Sequence, residues 1–372
     1  MKINCDRDIL SENISIAQKA VSNRTTLQIL ECVLIVADEE KGLRIIGNDL
    51  EIGVETKSID AEIIENGSVA IEAKMFSDII RRLPEGNVTV HSDENNVVTI
   101  KCKKSEFKVL GQSGDEFPFL PEIKKEEPYF IQSGTLKNMI RQTNFCVAVD
   151  DSKPIMTGEL MEIKNGSLKM VAIDGFRVAL REAELVEIAE NRCEKIVVPS
   201  KALNEINKLL PVENDESVTV YISDKHVLFG LKNCILVSRL IEGDFINYEN
   251  VFTSEYTTII YANKEELLNS IERTSLISKE IKKSPVKLNI LNDKVEVTSF
   301  TEYGNAFDEL EISVEGMPIE IAFNPRYLID ALKAIDEDEI SIQFTTPLSP
   351  CIIKSEEVES YKYLVLPLRL KA

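Results

Sequence analysis

The 372-residue chain is long enough for two or three domains, and its 44% hydrophobic content can supply several separate cores. No apolar run approaches the roughly 20 residues that a membrane span needs, and the N-terminus has no charged-then-apolar signal pattern. We therefore expect a cytoplasmic protein. The formal net charge of −20 argues, taken over the whole chain, against nucleic-acid binding, which normally requires a basic surface.

The predicted elements follow one order three times along the chain. The order is an amphipathic helix, strand-rich sequence with a hairpin turn, a short strand, a second helix that begins at a basic residue, and another strand. The helices are predicted, in chain order, over residues 8–21, 74–83, 135–147, 201–210, 264–277 and 325–335. Hairpin turns are predicted at Gly42, Asn66-Gly67, Asn165-Gly166 and Asn292-Asp293.

The basic residues that begin the second helix of each copy are Lys74, Lys201 and Arg326. They are separated by 127 and 125 residues, which is the period of a domain rather than of a solenoid repeat. We predict three similar α+β domains, each with two helices packed on antiparallel sheet. The predicted domains span residues 1–121, 128–252 and 253–372, with joints in the proline- and charge-rich segment 118–128 and near Thr253.

Charge is distributed unevenly between these elements. Windows at 8–24, 74–83, 135–147, 201–210, 264–283 and 325–335 together hold 16 Lys and Arg against nine Asp and Glu. The rest of the chain holds 27 basic against 54 acidic residues. One interpretation is the general preference of lysine for helix surfaces. The other is that all the helices face one polyanion while the sheets face outward, which would attract phosphates locally.

Residue patterns of catalysis and metal binding are missing. The two histidines, His91 and His226, lack metal-ligand spacing, and no P-loop, G-x-G-x-x-G or G-x-S-x-G motif occurs. We interpret Asp150-Asp151 as a solvated loop rather than as the carboxylate pair of a hydrolase. The seven cysteines are interpreted as thiols in a reducing cytosol, not disulfides or zinc ligands: Cys5, Cys32, Cys102, Cys146, Cys193, Cys234 and Cys351. We expect no enzyme activity, no cofactor and no metal.

Nine strings in the sequence carry a resemblance along essentially the whole chain. They are RTTLQIL (24–30), NDLEIGV (48–54), LPEGNVTV (83–90), FPFLP (117–121), DGFRVAL (174–180), IVVPSKAL (196–203), IEGDFINY (241–248), IEIAFNPRYLIDAL (319–332) and YLVLPLRL (363–370). In this order and spacing, the sequence resembles the bacterial DNA polymerase III beta subunit family, the DNA sliding clamps.

The resemblance implies a fold, an assembly and a set of partners. It implies three clamp domains per chain and two chains per closed ring, with twelve helices lining the hole and six antiparallel sheets outside. The ring would encircle double-stranded DNA without sequence preference and would have no catalytic activity. The polymerase III alpha subunit, the clamp loader and other proteins with a clamp-binding motif would bind one shared groove on each chain through a short, apolar-ended peptide.

The resemblance places the seam of the ring between the first domain of one chain and the third domain of the other. The matching positions are Phe107 and Val109 on a strand, and Leu276 and Ile277 at the end of a helix. We expect these apolar residues to lie beside edge strands that extend a sheet across the seam. The alternative interpretation is that Phe107 and Leu276 are ordinary core residues.

Sliding requires attraction to DNA without a fixed register, which phosphate contacts provide and base contacts do not. By position in the repeat, the residues predicted to face DNA are Arg24, Lys74, Lys137, Arg141, Lys201 and Arg326. Arg24 also matches a position implicated in DNA contact by the resemblance. The alternative interpretation for each residue is a solvated helix surface.

The C-terminal run 363–370 is apolar to within two residues of the end, whereas termini are commonly polar and frayed. Pro367 interrupts strand pairing there, so we expect its neighbours to face a groove while alternate side chains face the core. The resemblance implies this groove lining: Met156, Ile173, Gly175, Phe176, Arg177, Val178, Ile246, Val251, Leu364, Val365, Leu366, Pro367, Leu368 and Arg369. Arg177 and Arg369 are predicted to orient the polar end of the peptide.

Four positions depart from the usual pattern of the family. Ile173 replaces threonine, Phe176 replaces histidine, Ile246 replaces proline, and Asn250 replaces a frequent arginine. These changes make the groove more apolar, so its preference among partner peptides is open. A divergent paralogue that no longer loads on DNA is the alternative to a working clamp, and processive synthesis with a clamp loader would separate the two.

Overall fold

A computed structural model of the protein describes residues 1–22, 25–150, 152–186, 193–211, 216–252, 255–278 and 285–369. These residues contain six α-helices: α1 Arg7–Ala17, α2 Ala73–Arg82, α3 Ser133–Thr143, α4 Ser200–Leu209, α5 Lys264–Ser275 and α6 Pro325–Ala334. All six lie where the sequence predicts helices. The predicted first helices of each repeat run longer because the chain tightens into 3₁₀ turns at Gln18–Ala20, Asn144–Cys146 and Leu276–Ser278.

The described residues also contain 27 strands. The strands of the first repeat are β1 Lys2–Asp6, β2 Cys32–Asp38, β3 Gly42–Asn48, β4 Ile52–Thr56, β5 Glu62–Glu65, β6 Gly67–Glu72, β7 Asn87–Ser92, β8 Val97–Cys102, β9 Ser105–Leu110 and β10 Gln112–Ser113. Those of the second are β11 Tyr129–Gln132, β12 Gly158–Lys164, β13 Ser167–Ile173, β14 Arg177–Glu184, β15 Cys193–Pro199, β16 Ser217–Ile222, β17 His226–Gly230 and β18 Cys234–Arg239. Those of the third are β19 Thr258–Asn263, β20 Val286–Ile290, β21 Lys294–Thr301, β22 Gly304–Glu311, β23 Ser313–Gly316, β24 Ile319–Phe323, β25 Glu339–Phe344, β26 Cys351–Ser355 and β27 Tyr361–Val365.

Four helices begin directly after a strand, and the side chain of the residue before each helix caps its first backbone amides. The Asp6 carboxylate accepts hydrogen bonds from the backbone amides of Asp8 and Ile9 at the start of α1. Glu72, Asn263 and Asn324 cap α2, α5 and α6 in the same way. Such side chains satisfy amides that have no partner within the helix. This local chemistry explains the strand–helix junctions of the first and third repeats.

The predicted turn at Asn165-Gly166 is confirmed as a hairpin with both residues at positive φ, 52° and 81°. Positive φ at both central positions is the geometry that an Asn-Gly pair favours between two strands. The turn pairs Lys164 with Ser167 and sets the register of β12 against β13. A register fixed in this way keeps alternate side chains of both strands in the core.

The described residues divide by their contacts into two compact units. Unit 1 contains residues 1–134 and 205–240, and unit 2 contains residues 135–204 and 241–372. In unit 1, sheet A has the order β5-β1-β7-β8-β9 and sheet B the order β10-β6-β2-β3-β4-β18-β17-β16-β11. In unit 2, sheet C has the order β15-β12-β13-β14-β27-β26-β25-β19-β23 and sheet D the order β22-β21-β20-β24. All of the strand pairs are antiparallel, which confirms the predicted α+β class.

Each unit has its own apolar core between sheets and helices. In unit 1, Leu10 and Ile14 of α1 and Phe76 and Ile80 of α2 are fully buried against strands of sheets A and B. In unit 2, Leu328 of α6 packs with strands of sheets C and D. Both sheets B and C therefore combine strands of two successive repeats. The predicted domain limits at 121, 128, 252 and 253 stay a prediction.

Candidate functional site

The turn between β13 and β14 in unit 2 carries the predicted groove residues Gly175 and Phe176. The Asp174 carboxylate accepts hydrogen bonds from the backbone amides of Phe176 (2.8 Å) and Arg177 (3.0 Å). Gly175 has φ +90°, a conformation that L side chains rarely adopt. The turn leaves the Phe176 side chain 55% exposed at the surface. Glycine adopts this positive φ without strain, and the turn leaves Phe176 at the surface.

The floor beneath this turn is a separate apolar cluster. It contains Met156, Leu160, Val171, Ile173, Val178, Val197, Tyr248 and Leu364, all buried. The hydroxyl of Tyr248 donates a hydrogen bond to Glu162 Oε2 at 2.9 Å. Burial and this bond raise the pKa of Tyr248 well above its usual range. The floor is therefore built on strands β12, β13, β14, β15 and β27, with Tyr248 held against it by a polar anchor.

The C-terminal tail continues past β27 along this cluster. The Leu366 amide donates to the carbonyl oxygen of Phe176 (2.9 Å), and the Leu368 amide donates to that of Ala322 (2.7 Å). Pro367 lies between them and has no amide hydrogen to offer. Leu366, Pro367 and Leu368 are half-buried, and Arg369 is exposed. The tail thus joins sheet C to β24 of sheet D within unit 2.

One of the predicted groove residues, Val365, has a different position from the one expected. Val365 is 1% exposed and belongs to the large core of unit 2, while its neighbour Leu364 belongs to the groove floor. Successive side chains of a strand point to opposite faces, so the two cannot both line the groove. Of the remaining predicted residues, Ile246 and Val251 are exposed by 38% and 37% beside the floor.

Arg177 is another of the predicted groove residues. Its side chain is 7% exposed, and its guanidinium donates to Asp174 (2.9 Å), Asp330 (2.7 Å) and the carbonyl oxygen of Phe145 (2.7 Å). The group also lies 4.6 Å from the ring centre of Tyr327. These bonds inside the chain hold the turn in shape, and the predicted role of Arg177 toward a peptide stays a prediction.

Tyr327 is the main groove residue that sequence reasoning missed. Its ring stacks on Phe176, with centroids 6.2 Å apart. Burial raises the pKa of its hydroxyl. No local pattern marks Tyr327, because the contact joins α6 to a turn far away along the chain. Its one sequence signal is its place directly after Arg326, the third of the repeated basic residues.

The predicted seam residues lie in two separate places. In unit 1, Phe107 on β9 is 42% exposed and lines a shallow cavity of about 450 Å³ against Met75 and Ile79 of α2. Val109 is half-buried and packs on the core of unit 1. In unit 2, Leu276 is 56% exposed and Ile277 half-buried in the 3₁₀ turn after α5. Phe107 and Leu276 are therefore too exposed for the ordinary core interpretation.

The residues predicted to face DNA have unequal surroundings. Lys74, Lys201 and Arg326 are exposed at the starts of α2, α4 and α6, and Lys137 is half-buried. Arg141 is also exposed and forms an ion pair with Asp336 at 2.5 Å, and Arg326 lies 3.7 Å from Asp330 in a longer ion pair. Arg24 lies outside the described residues. Among the described residues of this set, exposure therefore separates only the half-buried Lys137 from the other four.

Three further features of the described residues concern metal ions, thiols and membranes. No group of three or more His, Cys, Asp and Glu side chains among them could hold a metal ion. All seven cysteines are free, and Cys193 alone is exposed. Within the described part of the chain, no helix is long and apolar enough to cross a membrane. Burial, followed by Arg239 and Lys225, lowers the pKa of His226.

Comparisons with known proteins cover the whole chain. Models of the N-terminal, central and C-terminal domains of the DNA polymerase III beta subunit match residues 1–121, 130–247 and 249–369. The chain is 34% identical to a beta sliding clamp of Bacillus subtilis over 99% of its length and 100% of the relative. It is 35% identical to that of Halalkalibacterium halodurans, with 98% of each covered. The crystal structure of the Bacillus subtilis DNA polymerase sliding clamp superposes with a TM-score of 0.96 at 34% identity, covering 100% of both chains.

Proposed function

This chain belongs to the DNA polymerase III beta subunit family of sliding clamps, non-catalytic processivity factors, and from that premise we propose how it works. Two copies close head to tail into a ring around duplex DNA in the cytoplasm. The ring tethers the polymerase III alpha subunit, and the clamp loader and other clamp-binding-motif proteins use the same groove. The observation that carries the proposal is the apolar floor beside the tail, with Phe176 exposed above it.

Ring closure is supported by the ends of two sheets. Sheet A ends in β9 and sheet D ends in β22, and neither strand has a partner on its outer side among the described residues. Edge strands present unpaired backbone groups that a strand of another chain can bind. Two such heterologous contacts close a ring of two chains if the rotation between the chains is 180°. Phe107 and Leu276 are apolar residues beside these edges.

DNA binding is supported by exposed charge at the starts of α2, α4 and α6. Lys74, Lys201 and Arg326 are long, flexible side chains that can meet phosphates without reading bases. The chain as a whole is strongly acidic, which limits attraction of nucleic acid to the helices. We expect weak, salt-sensitive binding to any duplex sequence, reduced by charge reversal at Arg24 and Lys201. Binding that ignored salt or required one base sequence would contradict sliding.

The groove has the chemistry of a peptide site. Its buried floor would take a leucine side chain, and Phe176 with Tyr327 would meet an aromatic one. Ile173 is 5% exposed in the floor, so its replacement of threonine makes the pocket itself apolar. Arg369 is exposed and free of the constraint that holds Arg177, so it is the arginine that would meet the polar part of the peptide.

The test of the groove is a truncation after Val365. Deleting residues 366–372 removes the hydrogen bonds that Leu366 and Leu368 make, together with one wall of the groove. We expect a folded, dimeric protein that no longer binds a short glutamine-leucine-aromatic peptide and no longer supports processive synthesis. A truncation after Arg369 is the matched control and should bind as the full chain does. Equal affinity of all three proteins would move the site elsewhere.

The seam is tested independently of the groove. Leu276→Ala with Ile277→Ala removes apolar side chains that lie at the surface, so the chain should fold normally and associate more weakly. Analytical ultracentrifugation at nanomolar concentration measures this directly. A double variant that sediments as a dimer like the unchanged protein would refute the assignment of these two residues to the seam.

A further inference from the structure

Unit 1 repeats the floor of the groove residue by residue. Facing residues in the sheets identify the equivalent positions, starting from the strands that lead into the second helices. The series are Ala70–Leu34–Ile46–Glu55 in unit 1 and Val197–Leu160–Val171–Leu180 in unit 2. The first three residues of each series pack together, in the groove floor of unit 2 and in one apolar cluster of unit 1. The two floors are therefore equivalent.

The turn beside the floor is also repeated. Counting back from the ends of the two series makes Asp49 the counterpart of Asp174. The backbone amide of Asp49 donates to the carbonyl oxygen of Ile52 at 3.1 Å, as the amide of Asp174 donates to that of Arg177 at 3.4 Å. Each bond closes its turn at the same point, so the backbone has the same form at the edge of both floors.

The tail that forms a wall of the groove has its counterpart at the end of β18. Unit 1 pairs β4 with β18, and unit 2 pairs β14 with β27. At the ends of β18 and β27, the amide of Arg239 donates to the carbonyl oxygen of Glu51, and the amide of Leu366 donates to that of Phe176, both at 2.9 Å. Unit 1 therefore has a floor, a turn and a wall equivalent to those of the groove.

A segment of the same chain fills the space above the floor of unit 1. Phe117 is buried in the apolar cluster of that floor. Three residues on, Leu120 packs against Gly53, where a Cβ atom would collide with the Cδ2 atom of Leu120. Gly53 is the counterpart of Val178, which belongs to the groove floor of unit 2. A leucine side chain therefore already occupies the site that unit 1 shares with unit 2.

Residues 118–120 are held less firmly than the anchor that precedes them. Phe117 is 2% exposed, whereas Phe119 is 84% exposed and Leu120 half-buried. The side-chain amide of Asn48 donates to the carbonyl oxygen of Pro118 at 3.1 Å, and residues 121 and 122 are exposed. Lifting residues 118–120 would break this bond and the packing of Leu120, while Phe117 stays in the cluster.

We propose that unit 1 contains a second peptide site, which residues 118–120 close and which takes a leucine side chain of a partner protein in the place of Leu120. This inference rests on the proposed function, because it assigns the kind of ligand that the groove binds to an equivalent floor. A site that is open for a small fraction of the time binds with an affinity reduced by that fraction. The unchanged chain should therefore bind one peptide, in unit 2.

The rim of the second site distinguishes its ligand from that of the groove. Glu51 and Arg239 are exposed in unit 1 at the positions that Phe176 and Leu366 occupy in unit 2. The rim is thus charged where that of the groove is apolar, and charged groups favour polar partners over an aromatic ring. The ligand that fits the second site is a leucine flanked by polar or charged residues, without a requirement for an aromatic one.

Calorimetric titration of the full chain with the glutamine-leucine-aromatic peptide tests the proposal through the number of sites. Leu120→Ala removes the side chain that fills the second site, so the number of peptides bound per chain should rise from one to two. Phe119→Ala is the matched control, because it removes an exposed apolar side chain from the same segment, and the number should stay at one.

The chain truncated after Val365 isolates the second site, because the truncation removes the wall of the groove in unit 2. In this background, Leu120→Ala should bind the peptide at least about tenfold more tightly than the truncated parent does. A peptide with serine in place of the aromatic residue should bind this site within about twofold of the first peptide. A loss of more than about tenfold would overturn the polar ligand assigned to the rim.

The remaining outcomes separate this inference from the proposed function. One bound peptide per chain in full-length Leu120→Ala would overturn the second site and leave the groove of unit 2 intact. Two bound peptides in the unchanged chain would overturn its closure by residues 118–120, and none would overturn the proposed function itself. If Leu120→Ala did not fold, Asn48→Ile, which copies Ile173 and removes the bond to Pro118, is the second opening variant. A folded Asn48→Ile that bound one peptide would equally overturn the second site.

Discussion

Units 1 and 2 contain the same turn, but it is covered in one and open in the other. In residues 48–54, the Asp49 carboxylate accepts from the amides of Glu51 and Ile52, as Asp174 does from Phe176 and Arg177. The residue after the aspartate has a positive φ in both, 74° at Leu50 and 90° at Gly175. The carbonyl oxygen of Glu51 accepts from Arg239, as that of Phe176 accepts from Leu366.

The turn of unit 1 is covered by the chain's own segment 117–121. Phe117 is 2% exposed and packs on Leu34, the counterpart of Leu160 in the groove floor. The side-chain amide of Asn48 donates to the carbonyl oxygen of Pro118 at 3.1 Å. A Cβ atom at Gly53 would collide with the end of the Leu120 side chain. Gly53 is the counterpart of Val178. Because glycine has no side chain, Leu120 of the same chain can pack against this position.

The turn of unit 2 is held by polar bonds of Arg177. Arg177 is the counterpart of Ile52, which is 1% exposed and apolar. A buried guanidinium bound to two carboxylates fixes the loop by directional bonds rather than by an apolar cover. One local turn can therefore be covered by the chain's own segment or held open by polar bonds, depending on the side chains around it. Exchanging those side chains between the units tests the comparison.

The largest effect is expected from Arg177→Ile, which copies Ile52 into the open turn. The variant leaves Asp174 and Asp330 without their shared partner, and breaking a buried pair in this way costs about 3–5 kcal/mol. Denaturant unfolding should show this loss in unit 2. Adding Asp330→Asn removes one unpaired charge and should recover part of it. An unfolding midpoint unchanged by Arg177→Ile would contradict the structural role of Arg177.

The next effect is expected from Gly53→Val, which copies Val178 into the covered turn. The new side chain displaces Leu120 or strains the strand, and overpacking of this kind costs about 1–3 kcal/mol. Denaturant unfolding measures the change. The double variant with Leu120→Ala makes the space available and should be more stable than Gly53→Val alone. If Leu120→Ala worsened the loss additively, Leu120 would not be the residue that requires glycine.

A smaller effect is expected from Phe176→Glu, which copies Glu51. The variant removes an exposed aromatic ring from the groove, so peptide affinity should fall roughly tenfold, or about 1.4 kcal/mol. Folding stability should change by less than about 0.5 kcal/mol because the side chain is largely exposed. Fluorescence polarisation of a labelled glutamine-leucine-aromatic peptide measures the affinity. Leu50→Glu changes a residue of similar exposure (52%) in the turn of unit 1 and is the control that should leave binding unchanged.

The smallest effect concerns a buried acid that distinguishes the second repeat from the others. Glu159 is 0% exposed, where the first and third repeats have Val33 and Val286. Burial raises the pKa of Glu159 to about 8. The Thr143 hydroxyl lies 2.7 Å from both Glu159 Oε2 and the Met139 carbonyl oxygen. Thr143 has one hydroxyl proton and can donate it to only one of these two oxygens. When Thr143 donates to Met139, a protonated Glu159 can donate its own proton to the Thr143 hydroxyl oxygen.

The pH dependence follows from the proton that the folded state keeps. Between the ordinary carboxyl pKa near 4.5 and about 8, folded Glu159 holds a proton and unfolded Glu159 does not. Stability therefore falls as pH rises through this window and levels off above about 8. Between pH 7 and 8 the loss should be about 1 kcal/mol. Glu159→Gln should remove this slope, and an identical slope in the variant would show that other groups cause it.

The sequence by itself determined the repeated architecture. The periodic apolar residues and the aligned basic residues Lys74, Lys201 and Arg326 located all six helices, because each amphipathic helix carries its own apolar pattern. The Asn165-Gly166 pair located a hairpin for the same local reason. The nine family strings indicated the clamp family, which the domain matches confirm.

Only the tertiary structure decided which side chains of those elements meet. Val365 and Leu364 are adjacent in the sequence yet serve the core and the groove, because strand faces alternate once the pairing register is set. Arg177 donates to Asp330 and to the carbonyl oxygen of Phe145, and Tyr327 stacks on Phe176. Such contacts join residues far apart in the chain, and local propensity carries no information about which distant partner a side chain will reach.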